Sequence, residues 1–185
     1  MPGRHAFRAS NTTKRDTSAM TDLLVLTLFP TLVIAAAIGD LLTMRIPNWL
    51  NGAMALSVLP MAVLAGMPLD VVQWHLLAGA VMLVFGFGLF ARGYVGGGDA
   101  KLLAAAGLWI GWSSLLPFVL VTTLAGGALA IVYKCWQLVR TEQEVRDFVW
   151  LRRVLRAQLE LPYGIAIAAG AVWVYSSTWW MQGLI

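Results

Sequence analysis

The chain has 185 residues, 59% of them hydrophobic and only 12% charged, with a net charge of +4. A soluble domain carries about 25% charged residues, so this composition excludes a soluble globular protein and indicates an integral membrane protein, with several runs near the roughly 20 apolar residues that span a bilayer. The excess of Lys and Arg is not a nucleic-acid signal, because these residues flank apolar segments, where they set orientation. A single cysteine, Cys135, excludes an internal disulfide and a zinc knuckle.

Residues 1–21 are polar and irregular, with Arg4, Arg8, Lys14 and Arg15, and are expected to form a disordered tail ahead of a membrane domain over 22–185. Met20 is a second candidate start, which the mass of the mature N-terminus would decide. The first apolar segment covers about 23–40 and contains Pro30, tolerated in a membrane helix when neighbours satisfy the freed carbonyl. Segments two and three cover about 49–67 and 72–91, and Arg92 to Lys101 form a glycine-rich link.

From Leu102 to Trp136 the sequence is almost purely apolar. As one helix it would reach about 52 Å, well past a hydrocarbon core of roughly 30 Å. It must fold back, and Gly111-Trp112-Ser113-Ser114 is the natural break. Segment four (about 100–112) is then short, which predicts that its glycine-rich start lies below the membrane surface. Segment five covers about 114–135 and segment six about 163–181. Between them, over about 137–161, Val145, Phe148, Leu151, Leu155 and Leu159 recur at helical spacing among arginines, the pattern of a basic amphipathic helix on the membrane surface.

Six spans place both termini on one side. Arg45, Arg92, Lys101, Lys134, Arg140, Arg146, Arg152, Arg153 and Arg156 all fall in links one, three and five, which the positive-inside rule puts in the cytoplasm. Trp74, Trp109, Trp112, Trp179 and Trp180 are expected to form an aromatic belt at the opposite interface. The predicted fold is therefore all-α: a polytopic helix bundle of six transmembrane segments with a short fourth helix.

Two carboxylates stand out. Asp40 ends segment one, and Asp99 follows Gly96-Gly97-Gly98 at the start of segment four; the other acids lie in flanks or in the polar loop. An acid at a membrane segment is costly and asks for a function. Two facing carboxylates that share a proton can hydrolyse an amide, one taking a proton from water and the other donating to the carbonyl. Helix ends suggest Asp99, at a helix N-terminus, as the base and Asp40, near a C-terminus, as the acid. Simpler readings are ion pairs of Asp40 with Arg45 or Asp99 with Lys101, and a flexible glycine turn. His5 and His75 offer no metal constellation, His75 reading as an interfacial residue. No serine-nucleophile, zinc-protease or nucleotide motif is present, so no cofactor is expected.

At these residues the chain resembles a known family. IGDLLTMRIPNWLN (38–51) and GGGDAKLL (96–103) look like the two signatures of the type IV prepilin peptidases, intramembrane aspartyl proteases of the Gly-x-Gly-Asp class, and LPYGIAIAAG (161–170) resembles the motif of their last helix. The resemblance covers roughly 22–182. It implies that Asp40 and Asp99 are catalytic, with Gly96, Gly98, Lys101, Arg45 and Asn48 shaping or supporting the site, and that no metal or other cofactor takes part. It also implies a substrate and a place. The enzyme would sit in the bacterial inner membrane and remove a short basic leader from prepilins or pseudopilins at the cytoplasmic face; lipid is its other partner, and nucleic acid is not. Larger members carry an N-terminal domain with paired cysteines and also N-methylate the product. A chain with one cysteine resembles the small members serving tight-adherence (Flp) pili, and it offers no motif for S-adenosylmethionine use, which leaves methyl transfer an open question. The alternatives are a proton-coupled transporter or a non-catalytic component of a pilus or secretion machine.

Overall fold

The computed structural model describes the backbone of residues 3–139 and 161–182, and the side chains of 19–135 and 161–182. The described chain is helical throughout: α1 (Gly3–Thr43), α2 (Asn48–Leu64), α3 (Leu69–Ala91), α4 (Gly97–Ile110), α5 (Leu115–Val139), α6 (Tyr163–Tyr175) and a single turn, α7 (Trp179–Gln182). Apolar helices thus stand at all six predicted positions. Three of them, over Ala19–Thr43, Leu69–Ala91 and Leu115–Cys135, are long and apolar enough to cross a membrane, and Asn48–Leu64 is a shorter apolar helix. The protein is a polytopic membrane helix bundle.

Two differences concern the termini of the predicted segments. The helix α1 begins at Gly3 and so takes in most of the stretch read as an irregular tail; no proline lies between Gly3 and Pro30 to stop a helix, once nucleated, from propagating. The sixth segment is broken at Ser176–Thr178 into α6 and α7. The surface helix expected over about 137–161 falls on residues 140–160, outside the described chain.

The helix boundaries follow a simple grammar. Pro47, Pro68 and Pro162 stand immediately before α2, α3 and α6, where a fixed φ suits a helix start and the missing N–H is one the helix would not use. Gly66 (φ 65°) and Gly93 (φ 73°) close α2 and α3 in the left-handed conformation. Each carries the paired bonds of a Schellman end, such as Tyr94 N–H to the Leu89 carbonyl at 3.0 Å and Gly93 N–H to Phe90 at 2.9 Å.

The short helix α4 is the hub. It packs on α1, α2, α3, α5 and α6 and is buried on nearly every side, at Asp99, Leu102, Leu103, Ala106 and Trp109 among others, as befits a helix enclosed by neighbours. Its closest approach is to α3. A Cβ on Gly86 would lie 3.0 Å from the Ala100 carbonyl oxygen, and one on Gly107 would lie 2.8 Å from Met82 and 3.2 Å from the Ala78 carbonyl. Without side chains there, the two backbones come together.

This register also locates the shortfall of α4. With Gly86 opposite Ala100, and Gly79 opposite Leu108, the start of α4 stops about two residues (roughly 3 Å) short of the end of α3. Most of the difference in length falls at the other end, contrary to the expectation that a recessed glycine start would absorb it. Aromatic side chains fill the space there. Trp109 and Trp180 are buried with rings 4.9 Å apart, and Phe29 stacks on Trp109 at 5.3 Å. These two tryptophans are core residues and not part of a belt, because their indole N–H groups have carbonyl partners inside the bundle, Met54 for Trp109 and Trp109 for Trp180. Trp74 and Trp112 are the exposed pair, 5.9 Å apart. His75 is likewise buried, Nδ1 2.8 Å from the Leu108 carbonyl; its ring occupies the space a Cβ on Gly111 would need.

Candidate active site

At the end of the bundle opposite the tryptophans, the two signatures fold onto one another. The last turn of α1 carries Asp40. The chain then leaves the helix through Met44, whose φ of 53° puts a methionine where α2 and α3 use glycine, its N–H bonding the Asp40 carbonyl at 2.7 Å. A left-handed residue with a Cβ costs about 1–2 kcal/mol, so the turn beside Asp40 is held against local preference.

Ile46 follows, buried against Gly98, whose Cα would carry a Cβ only 3.3 Å from that of Ile46. The first turn of α2 then clamps the start of α4. Asn51 Nδ2 donates to the Gly98 carbonyl at 3.1 Å, and Lys101 Nζ donates to Asn48 Oδ1 at 2.8 Å. Asn48 and Asn51, three positions apart, lie on one face of α2, so both bonds reach the same neighbouring helix end.

The two acids are held alike. Asp99 is the third residue of α4 and buried; its Oδ2 accepts the N–H of Gly96 at 3.2 Å, the reach-back half of a capping box. Gly96 has little room for anything else, since a Cβ there would lie 3.1 Å from the same oxygen. Asp40, also buried, accepts the N–H of Gly164 at 2.9 Å, in the first turn of α6. Asp40 therefore lies at the C-terminal end of its own helix but at the N-terminal end of α6. Helix ends do not separate an acid from a base here, as the sequence suggested they would, because each carboxylate meets the start of a helix.

Asp40 and Asp99 line one cavity of about 650 Å³, together with Arg45, Gly96, Gly97, Gly98 and Tyr163. Of the residues singled out from sequence, Asp40, Asp99, Arg45, Gly96 and Gly98 thus meet on this cavity. Asn48 and Lys101 do not; bonded to each other, they line a neighbouring groove between α2 and α3. Sequence reasoning missed Gly164, Tyr163 and Asn51. The first two lie within the LPYGIAIAAG stretch, where a glycine just after Pro162 at a helix start was the available signal. Asn51 was legible as a polar residue three positions from Asn48 inside an apolar run.

Fold and cavity together define a class: a polytopic membrane helix bundle with two buried carboxylates on one cavity. The family model for the type IV leader peptidase family matches residues 27–131, more than half of the chain and both acid motifs. The chain belongs to the type IV leader peptidase family. It is 37% identical over 76 residues to a prepilin leader peptidase/N-methyltransferase of Burkholderia pseudomallei, a match covering 41% of this chain and 19% of that protein. A protein of the same description from Escherichia coli is 41% identical over 69 residues, covering 37% of this chain and 29% of its own. One from Dickeya chrysanthemi is 35% identical over 63 residues, 34% and 22% of the two chains. The matched region thus spans under a third of the length of these relatives. No solved structure matches.

Proposed function

We propose that this protein is a membrane-embedded aspartic endopeptidase that removes the short basic leader from type IV, Flp-like prepilins or pseudopilins, with Asp40 and Asp99 as the catalytic pair at the cytoplasmic face of the inner membrane. The observation that carries this reading is that both acid motifs, about 60 residues apart in sequence, converge on one cavity with each carboxylate gripped by a helix start. One acid, ionised, takes a proton from a water whose oxygen adds to the scissile carbonyl carbon. The other protonates the carbonyl oxygen; the first acid then passes its proton to the amide nitrogen while the second takes one back from a hydroxyl of the tetrahedral intermediate, so the C–N bond breaks, the amine departs and the pair regains its starting proton. The pair titrates as a unit, so neither oxygen needs to own the proton beforehand. Position also supports hydrolysis over a proton relay. A relay across the bilayer favours acids near mid-span, whereas Asp40 lies in the last turn of α1 and Asp99 in the first turn of α4.

The test is co-expression with a tagged prepilin. Asp40→Asn and Asp99→Asn each keep shape and lose proton chemistry, so each should accumulate in the membrane at the native level while processing falls by about 10²-fold or more. Leader removal that persists in both variants overturns the assignment.

A further inference from the structure

A second cavity, of about 450 Å³, adjoins the acid cavity and differs from it in character. Its walls are Phe85 on α3 and Gly126, Gly127 and Ala130 on α5, and its floor includes Leu103 on α4 and Ile167 on α6. It lies where α3 packs closely on α4 and α5 on α6, with no comparable packing of α3 on α5. The two cavities share Asp99, Tyr94, Val95 and Tyr163, so an apolar groove and a polar one meet at a catalytic carboxylate.

We propose that the groove between α3 and α5 receives the apolar helix of the peptide substrate, which enters sideways from the bilayer and delivers its first residues to Asp99. This rests on the peptidase reading. A prepilin is amphiphilic in a fixed order, a short basic leader followed at once by an apolar helix, and cleavage falls at the junction. The apolar part stays in hydrocarbon, while the peptide bond to be cut must leave helical hydrogen bonding. Unpaired backbone at membrane depth is tolerated only in a protein-lined, watery cavity. An apolar groove opening into an acid-lined cavity meets both demands, and the change from one to the other falls where the scissile bond must lie. The α5 wall fits a helix partner in particular, because residues without bulk let two helix backbones approach. Lipid would fill the same groove when substrate is absent.

Gly127 supplies the test. A Cβ there meets nothing within 4 Å, as is also true of Gly88, which lies on α3 and lines neither cavity. Gly127→Leu should therefore fold normally and fill the groove; Gly88→Leu is its control. Purified variants are assayed on full-length prepilin and on a soluble peptide that spans the junction but lacks the apolar helix. Gly127→Leu is expected to raise KM for prepilin at least about tenfold and leave cleavage of the short peptide unchanged; Gly88→Leu should alter neither. Prepilin cleavage at the native rate by Gly127→Leu, or an equal loss on both substrates, overturns the proposal. A cross-linking arm needs no turnover. In a Cys135→Ser background, Gly127→Cys should form a disulfide with a cysteine in the first two turns of the prepilin helix, and Gly88→Cys should not. Equal or absent cross-linking at the two positions assigns the groove to lipid and overturns the proposal. If the native enzyme cleaves neither substrate, the peptidase reading fails, and the cross-link still reports separately on what the groove holds.

Discussion

At the scale of single residues, Gly164 is the position where sequence, geometry and chemistry are most tightly bound. Its N–H grips Asp40, and its missing Cβ is what lets the carboxylate come so close: that atom would lie 2.8 Å from Oδ2 and 2.9 Å from the Asp40 Cβ. No shift of a flexible side-chain tip relieves that contact, because Asp40 is short and buried. Gly164→Ala should displace the carboxylate by a fraction of an ångström to an ångström. Misplacement on that scale costs a catalytic site up to about 10²-fold. The expected result is a large fall in kcat for prepilin cleavage with little change in thermal stability in detergent. Native kcat in Gly164→Ala would show that Asp40 is not held by this contact. The same residues show what the sequence made legible. Asp40 and Asp99 stood out because a carboxylate in an apolar run has few ordinary reasons to be there. Gly164 did not, because its role depends on a partner 124 positions away, and a glycine before an apolar helix has many reasons to be there. The left-handed Met44 was equally unreadable, since methionine gives no local sign of such a backbone.

At the scale of elements, the helices and their ends were largely legible and their pairing was not. Pro47, Pro68 and Pro162 mark starts, and Gly66, Gly93 and Gly111 mark turns, from local steric rules that need no tertiary context. Which glycines serve helix contact, by contrast, depends on the neighbour. Gly86 and Gly88 are two residues apart on α3 and look alike in sequence, yet a Cβ on Gly86 would lie 3.0–3.1 Å from the Ala100 backbone while one on Gly88 would meet open space. Gly86→Ala should therefore push α3 from α4, an overpacking that costs about 1–3 kcal/mol, and lower the unfolding temperature in detergent. Gly88→Ala should leave it near the native value. Because α4 carries Asp99 one residue before Ala100, the same variant should also slow cleavage, whereas a lipid-facing change should not. Equal stability of the two variants would contradict the register that places α4 nearly level with the end of α3. The tryptophans fail at this scale for a related reason. A belt residue and a core residue share the same amphipathic ring, and only the carbonyls of Met54 and Trp109 decide that Trp109 and Trp180 belong inside.

At the scale of the whole molecule, the bundle has two unlike ends. Arg45, Arg92 and Lys101 gather at the acid end, and α5 runs toward that end to Lys134; the opposite end carries Asp22, Asp70 and the exposed Trp74 and Trp112. At this second end Ser114 Oγ bonds the Ser177 carbonyl and Trp180 reaches Trp109, so the turn between α4 and α5 and the end of α6 lie together. The positive-inside rule predicts an orientation from the cations near span ends, since Lys and Arg there are retained in the cytoplasm while acids contribute little; Arg4, Arg8, Lys14 and Arg15, ahead of the apolar part of α1, count against it. The acid cavity should then face the cytoplasm, which is where a basic leader remains when its apolar helix inserts. Two exposed positions test this in a Cys135→Ser background. Ala91→Cys, at the acid end of α3, should react with a membrane-impermeant maleimide only after spheroplasts are opened. Ser113→Cys, in the turn between α4 and α5, should react in intact spheroplasts. Both positions lie outside the acid cavity, so the protein should still process prepilin, and the labelling can be read on an active enzyme. The reverse pattern would place Asp40 and Asp99 on the far side of the membrane from every uncleaved leader, and no rearrangement of the bundle could then bring the carboxylates to their substrate.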